Sequence, residues 1–140
     1  MKVKVKRLND AVHMEAVNSD GSTLQMDGSP DIGGINGGLR PTEMLLAAAA
    51  GCSTIDIIGI LKKQRQKLDT VTIDVEGDKQ KVETWSEFKS IHLHYTFTGD
   101  VDEKKAEKAI ELSLTKYCSV TKMLEKTAKV TSSFEVISSK

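Results

Sequence analysis

Cysteine is almost missing from this 140-residue chain: there are two, Cys52 and Cys118. A disulfide-stapled scaffold is therefore excluded, and no cysteine or carboxylate set has metal-ligand spacing. Excess charge of one sign is missing too, since twenty basic residues balance twenty acidic ones. No domain-wide positive field exists to hold a nucleic acid or an anionic membrane, so neither is expected as a partner. The N-terminal stretch Met1-Lys-Val-Lys-Val-Lys-Arg7 alternates lysine with valine and has no apolar leader core, which predicts a cytoplasmic protein. Internal repeats are absent, and the sole biased tract is the glycine-rich segment from Asp27 to Leu39. The length suits one domain, residues 1–140, large enough to bury a core without staples or structural metal.

One long apolar run is present, residues 44–61. It approaches the length that spans a bilayer, but it carries Ser53, Thr54, Asp56 and two glycines. An unpaired aspartate at mid-bilayer costs roughly 2.5 to 3.5 kcal/mol, and the run holds no compensating cation. A core helix is the expectation.

Val3 and Val5 alternate with lysines, and after the Asn9-Asp10 turn Val12, Met14 and Ala16 alternate with His13 and Glu15, which predicts a hairpin with one buried face. Thr23 to Met26 follows as a third strand. Pro41 suits the first position of a helix reaching about Lys67, with Glu43 in its first turn. Two half-buried strands are predicted from the alternation at Val71, Ile73 and Val75 and at Ile91, Leu93, Tyr95 and Phe97, joined by a charged connection. Asp102 caps a helix predicted over Glu103 to Tyr117, with Ala106, Ala109, Ile110 and Ser113 on one face; Ser119 caps another through Glu125, and Val130 to Ile137 closes as a strand. The order predicts an α+β domain. A helix from 41 to about 65 is roughly 37 Å long, about the diameter of a 140-residue globule. It is apolar on every side for several turns, so a second subunit is expected to cover what one chain cannot.

Chemistry rests on few residues. Cys52, mid-helix, reads either as a small core side chain or as a reactive thiol needing a cation from elsewhere in the fold. Asp56, one turn on, disfavours its thiolate. Cys118 sits at a helix start near Lys116 and Lys122, a setting that favours a thiolate, although a hinge residue chosen for size fits equally well. His92 and His94 share one strand face, a spacing found in metal sites but also in any solvent-facing strand. The segment Gly33-Gly-Ile-Asn-Gly-Gly38 matches neither nucleotide-binding glycine pattern, which leaves a mobile lid or a plain connection.

Two longer segments add a resemblance. Gly38 to Lys63, including Gly51-Cys-Ser-Thr-Ile-Asp56, resembles the central helix of the OsmC/Ohr superfamily, and Leu112 to Lys126, including Lys116-Tyr-Cys-Ser-Val120, resembles its second cysteine segment. The similarity extends over nearly the whole chain and lies nearest the YhfA-type branch. It implies an OsmC-like fold of antiparallel sheets around a long central helix, in an intertwined homodimer with sites at the subunit boundary. It also implies peroxide chemistry without metal or other cofactor. Cys52 would attack a small-molecule organic hydroperoxide and become a sulfenic acid, Cys118 would capture it as a disulfide, and an external dithiol would restore the pair. In the family's peroxidases a glutamate directly follows the helix-starting proline and pairs with an arginine. Here Thr42 follows Pro41 and Glu43 comes next. Thr42 lies about 80° from Cys52 around the helix axis and Glu43 about 180°, so Glu43 does not simply replace that carboxylate. Arg40, with Glu43, is the expected supporting pair, Arg7 being the other arginine near the start. The same resemblance accommodates a non-catalytic protein that binds a small apolar or thiol ligand, or a redox sensor.

Overall fold

The computed structural model describes residues 1–139 and divides the chain into two compact units, Met1–Leu45 and the part that begins at Leu46. In the first unit, β1 (Val3–Arg7), β2 (Met14–Asn18) and β3 (Thr23–Met26) form an antiparallel sheet in that order. The turns are made by asparagine: Asn9 Oδ1 accepts the backbone N–H of Ala11 and His13, and Asn18 Oδ1 those of Asp20 and Ser22. Of the face predicted to be buried, Ala16 is buried, Val12 and Met14 are half-buried, and Val3 and Val5 are exposed.

The helix α1 (Pro41–Lys63) starts where predicted and stops four residues earlier than the expected Lys67. Arg65 enters the left-handed region at φ 57°, and Arg65 N–H donates to the Lys62 carbonyl at 3.0 Å and Gln66 N–H to the Leu61 carbonyl at 2.9 Å. That return of the chain closes the helix with a residue other than the usual glycine, so no sequence signal marked it.

In the second unit β4 (Lys67–Lys81) and β5 (Ser86–Asp100) make a long antiparallel hairpin, and β6 (Lys129–Ile137) pairs parallel to β5. The charged connection predicted between the strands is largely strand, because a hairpin supplies each charged side chain with a solvent face. Of the antiparallel sheets expected, the first is wholly so; the second carries one parallel pairing, made possible by the helical crossover of α2 (Glu103–Leu112) and α3 (Ser119–Leu124). Ile91, Leu93, Tyr95 and Phe97 of β5 point into a core shared with Ala49, Ile57 and Leu61 of α1 and Ala106, Ala109 and Ile110 of α2.

Asp102 caps α2 as expected, accepting Lys105 N–H at 3.1 Å. The helix predicted through Tyr117 gives way after Leu112 to a π-helical turn, Ser113–Tyr117, and Cys118 rather than Ser119 caps α3. As expected of a helix that one chain cannot cover, α1 is buried along one face only. Ala49, Ser53, Ile57 and Leu61 form a single buried stripe, while Ile55 is 74% exposed and Leu45 and Ile58 also face out.

Candidate functional site

The two cysteines come together in the second unit. Both are free; Cys52 is half-buried on α1, Cys118 is fully buried, and the two lie near each other. Burial pushes the Cys118 thiol above its ordinary range, and neighbouring Cys52 adds to the rise. The hydroxyl and backbone N–H of Thr121 pull it the other way. Thr121 N–H donates to Cys118 Sγ at 3.5 Å, and Thr121 Oγ1 donates to the Cys118 carbonyl at 3.2 Å. Cys118 thus occupies the predicted helix start, but burial outweighs the favourable donors there.

Around the pair stands a set of buried hydroxyls. Ser53 Oγ donates to the Ala50 carbonyl at 3.2 Å and is 2.7 Å from Tyr95 Oη. Either hydroxyl can be the donor of that bond. Burial raises Tyr95 to about 12, with its Ser53 bond opposing and Cys118 contributing, and the phenol stays neutral throughout the physiological range. On the other side Ser113 Oγ directs its proton at Asp56 Oδ2, 3.0 Å away, and at the Ser53 carbonyl, 3.2 Å away. The Ser113 carbonyl accepts Cys118 N–H at 2.8 Å across the π-helical turn. One fully buried serine therefore touches α1 through its side chain and the second cysteine through its backbone.

Sequence reasoning placed Cys52 and Cys118 but missed Ser53, Tyr95, Ser113 and Thr121 as members of the site. Ser113 had a visible signal: a serine on an otherwise apolar helix face must find a partner once buried. Tyr95 had none, because strand alternation explains its burial without its hydroxyl. Asp56, expected to act on Cys52 by charge, has a carboxylate oxygen committed to Ser113.

The expected supporting pair belongs to the first unit. Arg40 Nη2 donates to Asn36 Oδ1 at 2.8 Å, and Glu43 Oε1 accepts the Arg40 backbone N–H at 2.7 Å. Glu43 so works as the returning half of a helix cap. The glycine segment of the same unit is pinned rather than lid-like. Asp27, buried, accepts N–H bonds from Gly28 at 2.8 Å, Ile35 at 3.0 Å and Gly37 at 3.0 Å. The N–H groups of Gly37 and Ile35 hold its carboxyl below the usual range; burial opposes them, and Gly28 and His13 assist. His92 and His94 hydrogen-bond to β6: His92 to Thr131 and Ser133 at 2.7 and 2.8 Å, His94 to Ser133 at 2.7 Å. Among the described residues no group of three or more His, Cys, Asp or Glu stands close enough to hold a metal ion.

The pattern of the OsmC-like proteins matches residues 33–133 of this chain. The chain belongs to the OsmC-like family. It is 41% identical over 98 residues to protein YhfA of Escherichia coli K12, covering 69% of this chain and 72% of that protein. A crystal structure of a hypothetical protein from Aquifex aeolicus VF5 superposes with a TM-score of 0.84 at 29% identity, over 99% of this chain and 97% of the other. The organic hydroperoxide resistance protein OhrB of Bacillus subtilis shares the fold, with a TM-score of 0.69 at 18% identity over 96% and 98% of the two chains.

Proposed function

We propose that the protein is a cytoplasmic, thiol-dependent peroxidase that reduces organic hydroperoxides. The observation that carries this reading is the pair of neighbouring free cysteines, one half-buried and one buried. Access assigns the roles: half-buried Cys52 is open to a small molecule, and fully buried Cys118 is not. The Cys52 thiolate takes the terminal oxygen of the hydroperoxide, the O–O bond breaks, and the alkoxide leaves as the alcohol after taking a proton. Cys52 is then a sulfenic acid. The Cys118 sulfur attacks it, the S–O bond breaks, and the hydroxyl departs with the Cys118 proton as water, leaving a disulfide. An external dithiol, itself oxidised to a disulfide, returns both thiols by exchange. Relatives of this fold that bear the name organic hydroperoxide resistance protein support the substrate class.

The active form in this proposal is a homodimer. Its support is the apolar surface of α1 at Leu45, Ile55 and Ile58, which a monomer leaves in water. A second copy covers it at the same helix in each subunit.

The test is consumption of cumene hydroperoxide with a dithiol reductant. Wild type should turn over, Cys52→Ser should fall to background, and Cys118→Ser should complete one oxidation and then stall. Equal peroxide loss in wild type and Cys52→Ser would sink the proposal. A binding role without turnover has one observation in its favour, an apolar groove of about 540 Å³ lined by Ile55, Ile60, Leu112 and Tyr117 with Asp56 and Lys63 at its sides. Slow alkylation of Cys52 together with no peroxide loss is the outcome that selects it.

A further inference from the structure

The segment that carries Cys118 is irregular, and an irregular turn does not by itself hold a thiol in place. A π-helical turn widens the helix by one residue and weakens its repeat, and such turns concentrate at functional positions. Here the turn Ser113–Tyr117 ends at Cys118, whose backbone N–H donates to the carbonyl of Ser113 at 2.8 Å. Cys118 therefore follows wherever Ser113 goes. Ser113 in turn is fixed to α1, the helix that carries Cys52. Its Oγ lies 3.0 Å from Asp56 Oδ2 and 3.2 Å from the Ser53 carbonyl, and Ser113 and Ser53 are both fully buried.

The contact is well chosen for registry. Asp56 lies one helical turn beyond Cys52, and Ser53 is its immediate neighbour. Anchoring to both fixes the turn along the same stretch of α1 that presents the attacking sulfur. A hydrogen bond to an ionised acceptor is stronger than a neutral one, and its loss inside a buried site leaves a carbonyl and a carboxylate oxygen without that donor.

We propose that Ser113 is the positioning residue of the resolving step, holding Cys118 within reach of Cys52 by tying the π-helical turn to Asp56 and the Ser53 carbonyl. The role rests on the two-thiol reading above, but it concerns the closure of the Cys52–Cys118 bond and not the oxidant that triggers it. Positioning of this kind acts as effective concentration: a thiol kept in line closes the disulfide faster than one on a loosened turn.

Closure can be measured without peroxide. Cys52 is converted to its mixed disulfide with thionitrobenzoate by an aromatic disulfide reagent. Cys118 then attacks the Cys52 sulfur, the mixed bond breaks, and a second thionitrobenzoate leaves as a coloured thiolate while the Cys118 proton goes to solvent. Labelling of Cys52 and closure by Cys118 thus appear as two phases of one trace. In Ser113→Ala, closure should slow about tenfold, in keeping with loss of one charge-assisted hydrogen bond. Labelling of Cys52 should stay within about twofold, since its exposure does not depend on the hydroxyl. Ser113→Thr, which keeps a hydroxyl at that carbon, should restore most of the closure rate. Equal closure in wild type and Ser113→Ala overturns the inference, and so does parallel slowing of both phases, which marks general loosening of the fold. If closure behaves as expected while hydroperoxide is not consumed, the peroxidase reading fails and the positioning role stands.

Discussion

Two irregular segments of this protein are each fastened by a buried polar side chain, and they are held in opposite ways. The glycine segment Gly28–Gly38 is fastened by Asp27, an acceptor whose charged form is favoured by three backbone N–H groups. The π-helical turn Ser113–Tyr117 is fastened by Ser113, a neutral donor aimed at a carboxylate and a carbonyl. The first clamp organises backbone alone, and its failure is a stability event. The second holds the backbone that leads to a thiol, so its failure is read in chemistry. A clamp's importance to function is therefore set by what hangs from the segment it holds, not by how many bonds it makes.

The largest effect is expected where the first segment tolerates no side chain at all. A Cβ on Gly34 would lie 1.8 Å from the Gly28 carbonyl oxygen, a backbone atom that cannot rotate away. Gly34→Ala must shift the chain, at a cost of about 3 kcal/mol, the upper part of the usual overpacking range. Urea unfolding checks it, and a loss below about 1 kcal/mol contradicts the close packing of the segment.

Asp27 comes next, and its effect depends on pH. Its folded carboxyl titrates below the unfolded value of about 3.9 because backbone N–H groups favour the charged form. The clamp's contribution is present above that unfolded value and is lost as pH falls through the lower folded one. Asp27→Asn should therefore melt several degrees below wild type near neutrality, with the gap narrowing under about pH 4. A gap that is constant from neutral to acid pH would remove charge from the account of this clamp.

How much of this could be seen in the sequence differs between the two segments. Glycine spacing announced the first as irregular, but not its clamp: Asp27 is one aspartate among several, and its three donors lie up to ten residues away. The second gave no warning. Helical periodicity continues through Leu112, Ser113 and Leu114, and a π turn inserts its extra residue without glycine or proline. The strands were legible because alternation of apolar residues follows directly from their two faces, as at Ile91 to Phe97. The end of α1 was not, since Arg65 takes a conformation that composition does not advertise. The two cysteines were legible as candidates by scarcity and resemblance. The hydroxyl set around them was not, because a buried serine or tyrosine in an apolar pattern shows its partner only once the fold has brought them together.

The smallest effect sharpens the comparison most. Ser53 is approached from both sides, by Tyr95 at its hydroxyl and by Ser113 at its carbonyl. If any perturbation of Ser53 disturbed the thiols, Tyr95→Phe and Ser113→Ala would act alike. They should not. Tyr95→Phe removes one buried neutral hydrogen bond while its stacking on Phe97, with ring centroids 6.1 Å apart, is retained; the expected loss is about 1 kcal/mol in chemical unfolding. Disulfide closure should stay near the wild-type rate, because the bond from Ser113 to α1 is untouched. The alkaline limb offers an independent reading. The folded phenol titrates at about 12 against an unfolded value of about 10, so its contribution holds below the unfolded value and declines as pH rises through the folded one. The decline should be shallower in Tyr95→Phe than in wild type. Slowed closure in Tyr95→Phe would mean that Ser53, not the tie from Ser113 to the turn, sets the geometry of the thiol pair.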